Sequence, residues 1–236
     1  HGEVIVKILS EQFGVSEMTI RRDLHLLEEQ GYATIHYGGA SLLDRQNIGC
    51  QSFSLRKGKE LENKRKIARK AASFIKEGDV LFMDTSTTVL EILTYMPAFR
   101  VKIITNSVPV METVYRDENI DLYMAPGLYR SVGGPIDYAT AEYLSRFHYN
   151  KAFFGSNSYD PVFGVSEAEE IEAAVKKCVL ENSDENYLLV DHSKMGKRSF
   201  VKYADTVDYT GILSDEELDI DWRTKIIQNG GSLILC

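Results

Sequence analysis

The spacing of apolar residues divides the chain into a short N-terminal part with helical periodicity and a long part in which apolar runs alternate with helical stretches. In residues 15–31, Ile20, Leu24 and Leu27 recur at i, i+4 and i+7, which predicts an amphipathic helix. Ser16 suits the N-cap of this helix, because its hydroxyl can accept a hydrogen bond from a free backbone N–H of the first turn.

A shorter apolar stretch, residues 5–13, precedes this helix and ends at Gly14. Two short helices joined by a glycine turn are typical of a helix-turn-helix, whose second helix enters the major groove of DNA. An ordinary amphipathic helix with a solvated charged face is the alternative, but it does not explain the tight turn and the cap. Residues 32–37 are aromatic and β-branched and precede Gly38 and Gly39, which predicts a small β-wing. The predicted DNA-binding residues are Ser16, Met18, Thr19, Arg21, Arg22, His25 and His36.

The rest of the chain has the pattern of an α/β domain. Residues 1–40 form the predicted helix-turn-helix domain, residues 41–60 lack a sustained period and form a predicted linker, and residues 61–236 form the large domain. Short apolar runs predict strands at 80–83, 101–105, 122–125, 152–155, 188–190, 211–213 and 233–235. Helical stretches begin at Leu61 and recur at 89–95, 110–115, 169–180 and 218–227. This alternation predicts a mainly parallel sheet covered by helices on both faces.

Polar residues follow several of these strands, where an α/β sheet binds its ligands. Asp84, Thr85, Ser86, Thr87 and Thr88 follow the first strand and precede a helix. Free backbone N–H groups at a helix start favour a phosphate, and the hydroxyls add donors. A plain N-cap with spare threonines is the alternative. Hydroxyl, amide, carboxylate and ammonium groups follow the other strands, and together they can form hydrogen bonds and ion pairs with a phosphorylated sugar. The remaining predicted effector-binding residues are Asn106, Asn157, Asp160, Asp191 and Lys194.

Composition limits the remaining possibilities. The 236 residues are 44% hydrophobic and carry a net charge of −8, so DNA binding must come from a small part of an acidic chain. Three scattered cysteines argue against a disulfide framework and for a reducing cytoplasm. No apolar run approaches a membrane span. The histidines and cysteines lack metal-ligand spacing, so we expect no metal and no cofactor.

Several of these motifs resemble the DeoR family of bacterial transcriptional regulators. The matching runs include residues 14–24 (Gly-Val-Ser-Glu-Met-Thr-Ile-Arg-Arg-Asp-Leu), 84–88, where Ser86 replaces the glycine of Asp-x-Gly-Thr-Thr, and 191–196 (Asp-His-Ser-Lys-Met-Gly). The run 187–197 is most similar to lactose-phosphotransferase-system repressors. The resemblance implies a further helix before residue 1 and an effector domain with a ribose-5-phosphate-isomerase-like fold. It also implies a metabolite effector such as a phosphorylated sugar.

We therefore predict a cytoplasmic, sugar-phosphate-responsive transcription factor, most simply a repressor, that binds operator DNA as a homodimer or higher homo-oligomer. Two other classes stay open. An isomerase of sugar phosphates needs a general base, and the family alignment places Lys176 where related isomerases have a glutamate, with Glu172 or Glu170 as substitutes. A protein-interaction adaptor would use the helix pair to bind protein instead of DNA.

Overall fold

A computed structural model of the protein describes residues 3–29, 33–42, 53–130 and 132–236. The chain forms two compact units, His1–Lys59 and Glu60–Cys236. Gly31, the last residue of the predicted amphipathic stretch, and residues 43–52, which are half of the predicted linker, lie outside the described residues.

The N-terminal unit packs two helices against a three-stranded antiparallel sheet. Its elements are β1 (Glu3–Ile5), α1 (Val6–Phe13), α2 (Glu17–Glu29), β2 (Ala33–His36), β3 (Gly39–Leu42) and α3 (Phe53–Lys57). The sheet order is β1-β3-β2, so β2 and β3 form the predicted wing and β1 extends it. Residues 41 and 42 thus complete β3, and α3 also falls within the predicted linker.

The predicted apolar stripe of α2 forms most of this unit's core. Ile20 and Leu24 are each 6% exposed and cluster with Val6 of α1 and Ala40 of β3. Leu27 differs from the prediction, because 41% of it is exposed. The core of so small a unit is only wide enough for the first two positions of the stripe.

The C-terminal unit alternates strands and helices, as the sequence predicts. Its elements are α4 (Leu61–Ala72), β4 (Val80–Met83), α5 (Thr87–Glu91), β5 (Val101–Thr105), α6 (Val108–Val114), β6 (Ile120–Met124), β7 (Tyr129–Arg130), β8 (Gly134–Pro135), α7 (Tyr138–Leu144), β9 (Tyr149–Gly155), β10 (Ser158–Asp160), β11 (Gly164–Glu167), α8 (Glu170–Leu180), β12 (Ser183–Leu189), β13 (Val201–Ala204), β14 (Gly211–Ser214), α9 (Ile220–Gln228) and β15 (Leu233–Leu235).

Seven of these strands form a parallel sheet in the order β15-β14-β12-β9-β4-β5-β6, as the described residues define it. From β4 the chain proceeds outward through β5 and β6, and from β9 it proceeds outward in the opposite direction. The direction of winding therefore changes between β4 and β9, which are paired neighbours. Such a switch point leaves a crevice at the carboxyl ends of the two strands, where ligands of open α/β sheets bind.

Successive residues of each strand enter opposite cores, which explains the continuous apolar runs in the sequence. Phe82 and Phe154 pack on one face, in the cluster that includes residues of α7, α8 and α9. Met83 and Phe153 pack on the other face with residues of α4, α5 and α6.

Two small antiparallel sheets complete the unit and were not predicted. Strands β10, β11 and β13 form one, and β7 and β8 form the other. Their strands have two to four residues. Runs this short give no recognisable alternation, so the sequence does not distinguish them from loops.

Candidate functional site

The face of α2 that the sequence assigns to DNA is exposed. The N-cap is formed as predicted, since the hydroxyl of Ser16 accepts the backbone N–H of Thr19 at 3.1 Å and contacts the Thr19 hydroxyl at 2.9 Å. Met18 is 79% exposed, on the side of the helix opposite to the buried Ile20. His36 is exposed at the end of β2.

Within the described part of the chain, the charged side chains of this face are held by weak surface ion pairs. Arg21 lies 3.4 Å from Glu17, Arg22 lies 3.6 Å from Asp23, and His25 lies 3.6 Å from Glu28. The Arg22 side chain is 75% exposed. Pairs of this kind contribute little free energy, so these side chains are available to a polyanion at small cost.

In the C-terminal unit, the residues after β4 form a tightly ordered turn, the 84–88 segment (Asp84–Thr88). One carboxylate oxygen of Asp84 accepts the N–H of Ser86 at 2.7 Å, and the other accepts the N–H of Gly155 at the end of β9 at 2.8 Å. The hydroxyl of Ser86 caps α5 by accepting the N–H of Thr88 at 3.1 Å. Asp84 therefore ties the two strands of the switch point together, and Ser86 starts the helix.

The threonines of the same segment keep their hydrogen-bonding capacity. Among the described residues, the hydroxyls of Thr85, Thr87 and Thr88 have no hydrogen-bond partner, and neither do the backbone N–H groups of Thr85 and Thr87. Ser86 alone supplies the cap, so the three threonines exceed what the helix start requires. Hydroxyls and free N–H groups grouped at a strand end are suited to bind an anion.

A buried ammonium group lies behind this segment. Lys176 of α8 is 6% exposed, and its Nζ lies 2.5 Å from Glu167, 2.7 Å from the carbonyl oxygen of Gly155 and 3.5 Å from Asp84. Burial by itself would lower the pKa of Lys176, but the charges of Glu167 and Asp84 outweigh it and raise the pKa above the ordinary lysine value. Burial also raises the pKa of Asp84, against the opposing effect of Lys176 and two backbone N–H groups. The sequence pattern indicates Lys176 only in the isomerase alternative and does not indicate Glu167.

The predicted residues at the ends of β5 and β9 flank the switch point. Asn106 is 3% exposed; its Nδ2 donates to the Pro135 carbonyl at 3.1 Å, and its Oδ1 is buried without a partner among the described groups. Asn157 is half-buried, and its side chain has no partner among the described residues. Both amides therefore retain hydrogen-bonding capacity for a ligand.

The predicted carboxylates after β12 and β10 differ in how many hydrogen bonds they accept from neighbouring residues. Asp191 is 1% exposed; one oxygen accepts from Ser193, and the other has no hydrogen bond among the described groups and lies 4.0 Å from the Lys194 ammonium. Asp160 is 7% exposed and accepts from the N–H groups of Val162 and Phe163 and from Arg198. Burial opposes ionisation of Asp160, but these donors lower its pKa overall. Among the described residues, no hydrogen bond or ion pair joins Asp160 to the 84–88 segment.

A cluster that the sequence did not indicate lies at the ends of β12 and β14. Ligating atoms of His192, Asp215 and Glu217 lie within 4.8 Å of one another. Asp215, which is fully buried, accepts the His192 backbone N–H at 2.7 Å and lies 2.9 Å from its Nδ1. Burial lowers the pKa of His192, but the hydrogen bond and charge of Asp215, with Glu60 and Asp191, raise it overall. These contacts account for the cluster as a junction between two strand ends.

Comparison with known families matches both units. Residues 1–46 match the model described as the DeoR-like helix-turn-helix domain, and residues 59–216 match the DeoR C terminal sensor domain. The chain belongs to the DeoR family. It is a DNA-binding transcriptional regulator with a sensor domain, which confirms the regulator prediction over the isomerase alternative.

Similar curated proteins from this family span nearly the whole chain. The glycerol-3-phosphate regulon repressor of Escherichia coli K12 is 35% identical over 237 residues, covering 100% of this chain and 93% of that protein. The regulator IolR of Bacillus subtilis is 33% identical and covers 94% of this chain and 88% of its own. A lactose phosphotransferase system repressor of Staphylococcus epidermidis is 31% identical, with coverage of 95% and 90%.

Similarity to solved structures is weaker. Ribose 5-phosphate isomerase A of Methanocaldococcus jannaschii aligns with 57% of this chain and 54% of its own at 20% identity and a TM-score of 0.40. The full-length sorbitol operon regulator SorC of Klebsiella pneumoniae aligns with 80% of this chain and 83% of its own at 12% identity and a TM-score of 0.36.

Within the described residues, none of the helices has the length and apolar character needed to cross a membrane.

Proposed function

We propose that this DeoR-family regulator represses a sugar-metabolism operon and that a phosphorylated sugar, bound at the carboxyl edge of the seven-stranded sheet, controls it. The observation that carries the proposal is the 84–88 segment at the switch point, with three unpaired threonine hydroxyls and two unpaired N–H groups in the described structure. This donor-rich segment would hold the phosphate.

The groups around that segment suit the sugar. Among the described residues, Asn106 Oδ1 and Asp191 Oδ2 are buried acceptors that receive no hydrogen bond, although a buried polar atom normally has one. Sugar hydroxyls would donate to them. Asn157 and Lys194 can add contacts at the same edge. Recognition of this kind needs hydrogen-bond donors, acceptors and charges, and no cofactor.

The DNA-binding role falls to the exposed face of α2. Arg21, Arg22, Met18 and His25 would face the major groove, with Ser16 and Thr19 near a phosphate and His36 contacting DNA from the wing. Their exposure and weak ion pairs support this assignment. Binding of two operator half-sites requires at least a homodimer, and the regulator would act in the cytoplasm, where bacterial DNA lies.

The effector proposal is tested by a thermal-shift screen of hexose and pentose phosphates, followed by calorimetric titration of each hit and of its unphosphorylated sugar. A ligand at a hundredfold excess over its Kd stabilises the folded protein by about 2.7 kcal/mol. We expect the phosphorylated form to bind at least about tenfold more tightly, a difference of roughly 1.4 kcal/mol. Equal affinity for the two forms would contradict a phosphate-anchored site.

A further inference from the structure

The buried ammonium of Lys176 joins four elements at the switch point. Its side chain extends from α8, and the ammonium contacts Glu167 on β11, the Gly155 carbonyl on β9 and Asp84 after β4. The Lys176 and Asp84 side chains are 7% and 3% exposed, so water screens their interaction little. A charged group this deeply buried destabilises the fold unless it is paired, and here the ammonium has three partners.

Asp84 transmits this contact to the proposed phosphate-binding segment. Its two carboxylate oxygens each accept one backbone N–H, from Ser86 and from Gly155. Burial favours the neutral acid, and the charge of Lys176 favours the carboxylate that accepts both bonds. Loss of the ammonium would weaken both hydrogen bonds and release the turn that places the N–H groups of Thr85 and Thr87.

The charges around Lys176 also indicate that its ammonium supports anion binding. Glu167 and Asp84 are 2% exposed and Glu172 is 8% exposed, and all three act electrostatically on Lys176. A phosphate bound beside this group would be repelled by the buried carboxylates if the ammonium were absent.

We propose that Lys176 is a positioning residue of the effector site, which holds Asp84 and Gly155 so that the 84–88 segment is preorganised for phosphate, without itself contacting the ligand. The inference rests on the proposed function of that segment. In this proposal Lys176 contributes to ligand binding. In the isomerase alternative, a general base would be needed at the same position.

Lys151 offers a matched control. It is another buried lysine, 4% exposed, and its Nζ lies 2.9 Å from Asp79 and 3.8 Å from Glu185. It lies on β9 opposite Leu81, toward the amino end of the strand that Gly155 ends. Lys176→Met leaves the buried Glu167 and Asp84 without their cation, and Lys151→Met does the same to the buried Asp79 and the partly exposed Glu185. Both variants should therefore destabilise the fold, but only the first should affect the 84–88 segment.

The test uses the full chain and two readouts, at a temperature where all variants are folded. The first is the affinity for inorganic phosphate and for the best sugar phosphate of the screen, measured by calorimetry. We expect Lys176→Met to lower affinity at least about tenfold, Lys151→Met to change it less than about twofold, and Lys176→Arg to restore most of it. The second is the position of the Ser86 and Gly155 amide resonances in a ¹H–¹⁵N spectrum, which should shift in Lys176→Met and stay in Lys151→Met.

Each outcome decides one of the two proposals. Equal losses of affinity in Lys176→Met and Lys151→Met would overturn the positioning role and leave the effector site standing. Absence of binding by the wild-type chain would refute the effector site, and the amide resonances would then decide the role of Lys176. If Lys176→Met does not fold, Lys176→Gln, which keeps amide donors but lacks the charge, takes its place with the same expected results.

Discussion

Replacement of Gly155 by alanine should strongly destabilise the C-terminal unit, because β9 approaches the 84–88 segment too closely for any side chain. A Cβ at this position would lie 2.1 Å from the Ser86 hydroxyl and 2.4 Å from the Ser86 Cβ. Non-bonded carbons do not approach this closely, so Ser86 must move by about an ångström. Overpacking of this kind costs about 1–3 kcal/mol, and loss of the Ser86 cap adds about 0.5–2 kcal/mol. We expect the free energy of unfolding to fall by about 2–4 kcal/mol.

The assay is urea unfolding followed by the fluorescence of Trp222, the single tryptophan, which lies in α9 of the C-terminal unit. Gly211→Ala is the control, since the atoms nearest to its Cβ would be the Cδ1 methyl of Ile234 at 3.0 Å and the ring edge of Tyr187 at 3.2 Å, both farther away than Ser86 is from a Cβ at position 155. We expect that control to cost less than about 1 kcal/mol.

A second substitution tests the mechanism. Ser86→Gly removes both atoms that the new Cβ would meet, and glycine at an N-cap costs only about a few tenths of a kcal/mol. The double variant Gly155→Ala with Ser86→Gly should therefore be more stable than Gly155→Ala alone. If the double variant is less stable than the single one, or if Gly155→Ala costs no more than Gly211→Ala, the steric argument is wrong.

Three further predictions concern DNA binding, pH and coupling. Arg22→Ala should weaken binding to a DNA site selected by the full chain by about 1–3 kcal/mol, while Arg146→Ala, which removes an exposed cation that follows α7 and pairs with Glu142, should leave that affinity unchanged. The raised pKa of His192 means that its stabilising contribution is complete below its ordinary pKa of 6.5 and is lost as pH rises through the raised value; urea midpoints between pH 6 and 9 should show this loss in the wild type and not in His192→Asn. If a sugar phosphate changes operator affinity by some factor, saturating operator must change the sugar-phosphate Kd by the same factor, and an unchanged Kd, measured by calorimetry, would exclude coupling by that ligand.

The local features of both units can be predicted from the order of residues alone. The cap at Ser16, the buried Ile20 and Leu24 and the exposed arginines follow from residues within one or two turns of a helix, where spacing fixes which side chains share a face. The seven strands of the parallel sheet were all located, because a strand covered on both faces must be continuously apolar. Their ends differ from the predicted ones mainly where polar residues lengthen β9 and β12.

Which of these local features lie next to each other depends on the folded arrangement of the sheet. The hydrophobic pattern does not encode strand order, so the pairing of β4 with β9 and the switch point between them could not be read from the chain. For the same reason the sequence does not predict the contact of Lys176 with Asp84, since the two residues lie 92 positions apart. That the carboxylate of Asp160 accepts hydrogen bonds from the turn after β10 and from Arg198 is also a result of the tertiary structure, and its role in effector binding stays a prediction. Residues that are distant in the chain come into contact only after burial of the apolar strands has established the strand order of the sheet.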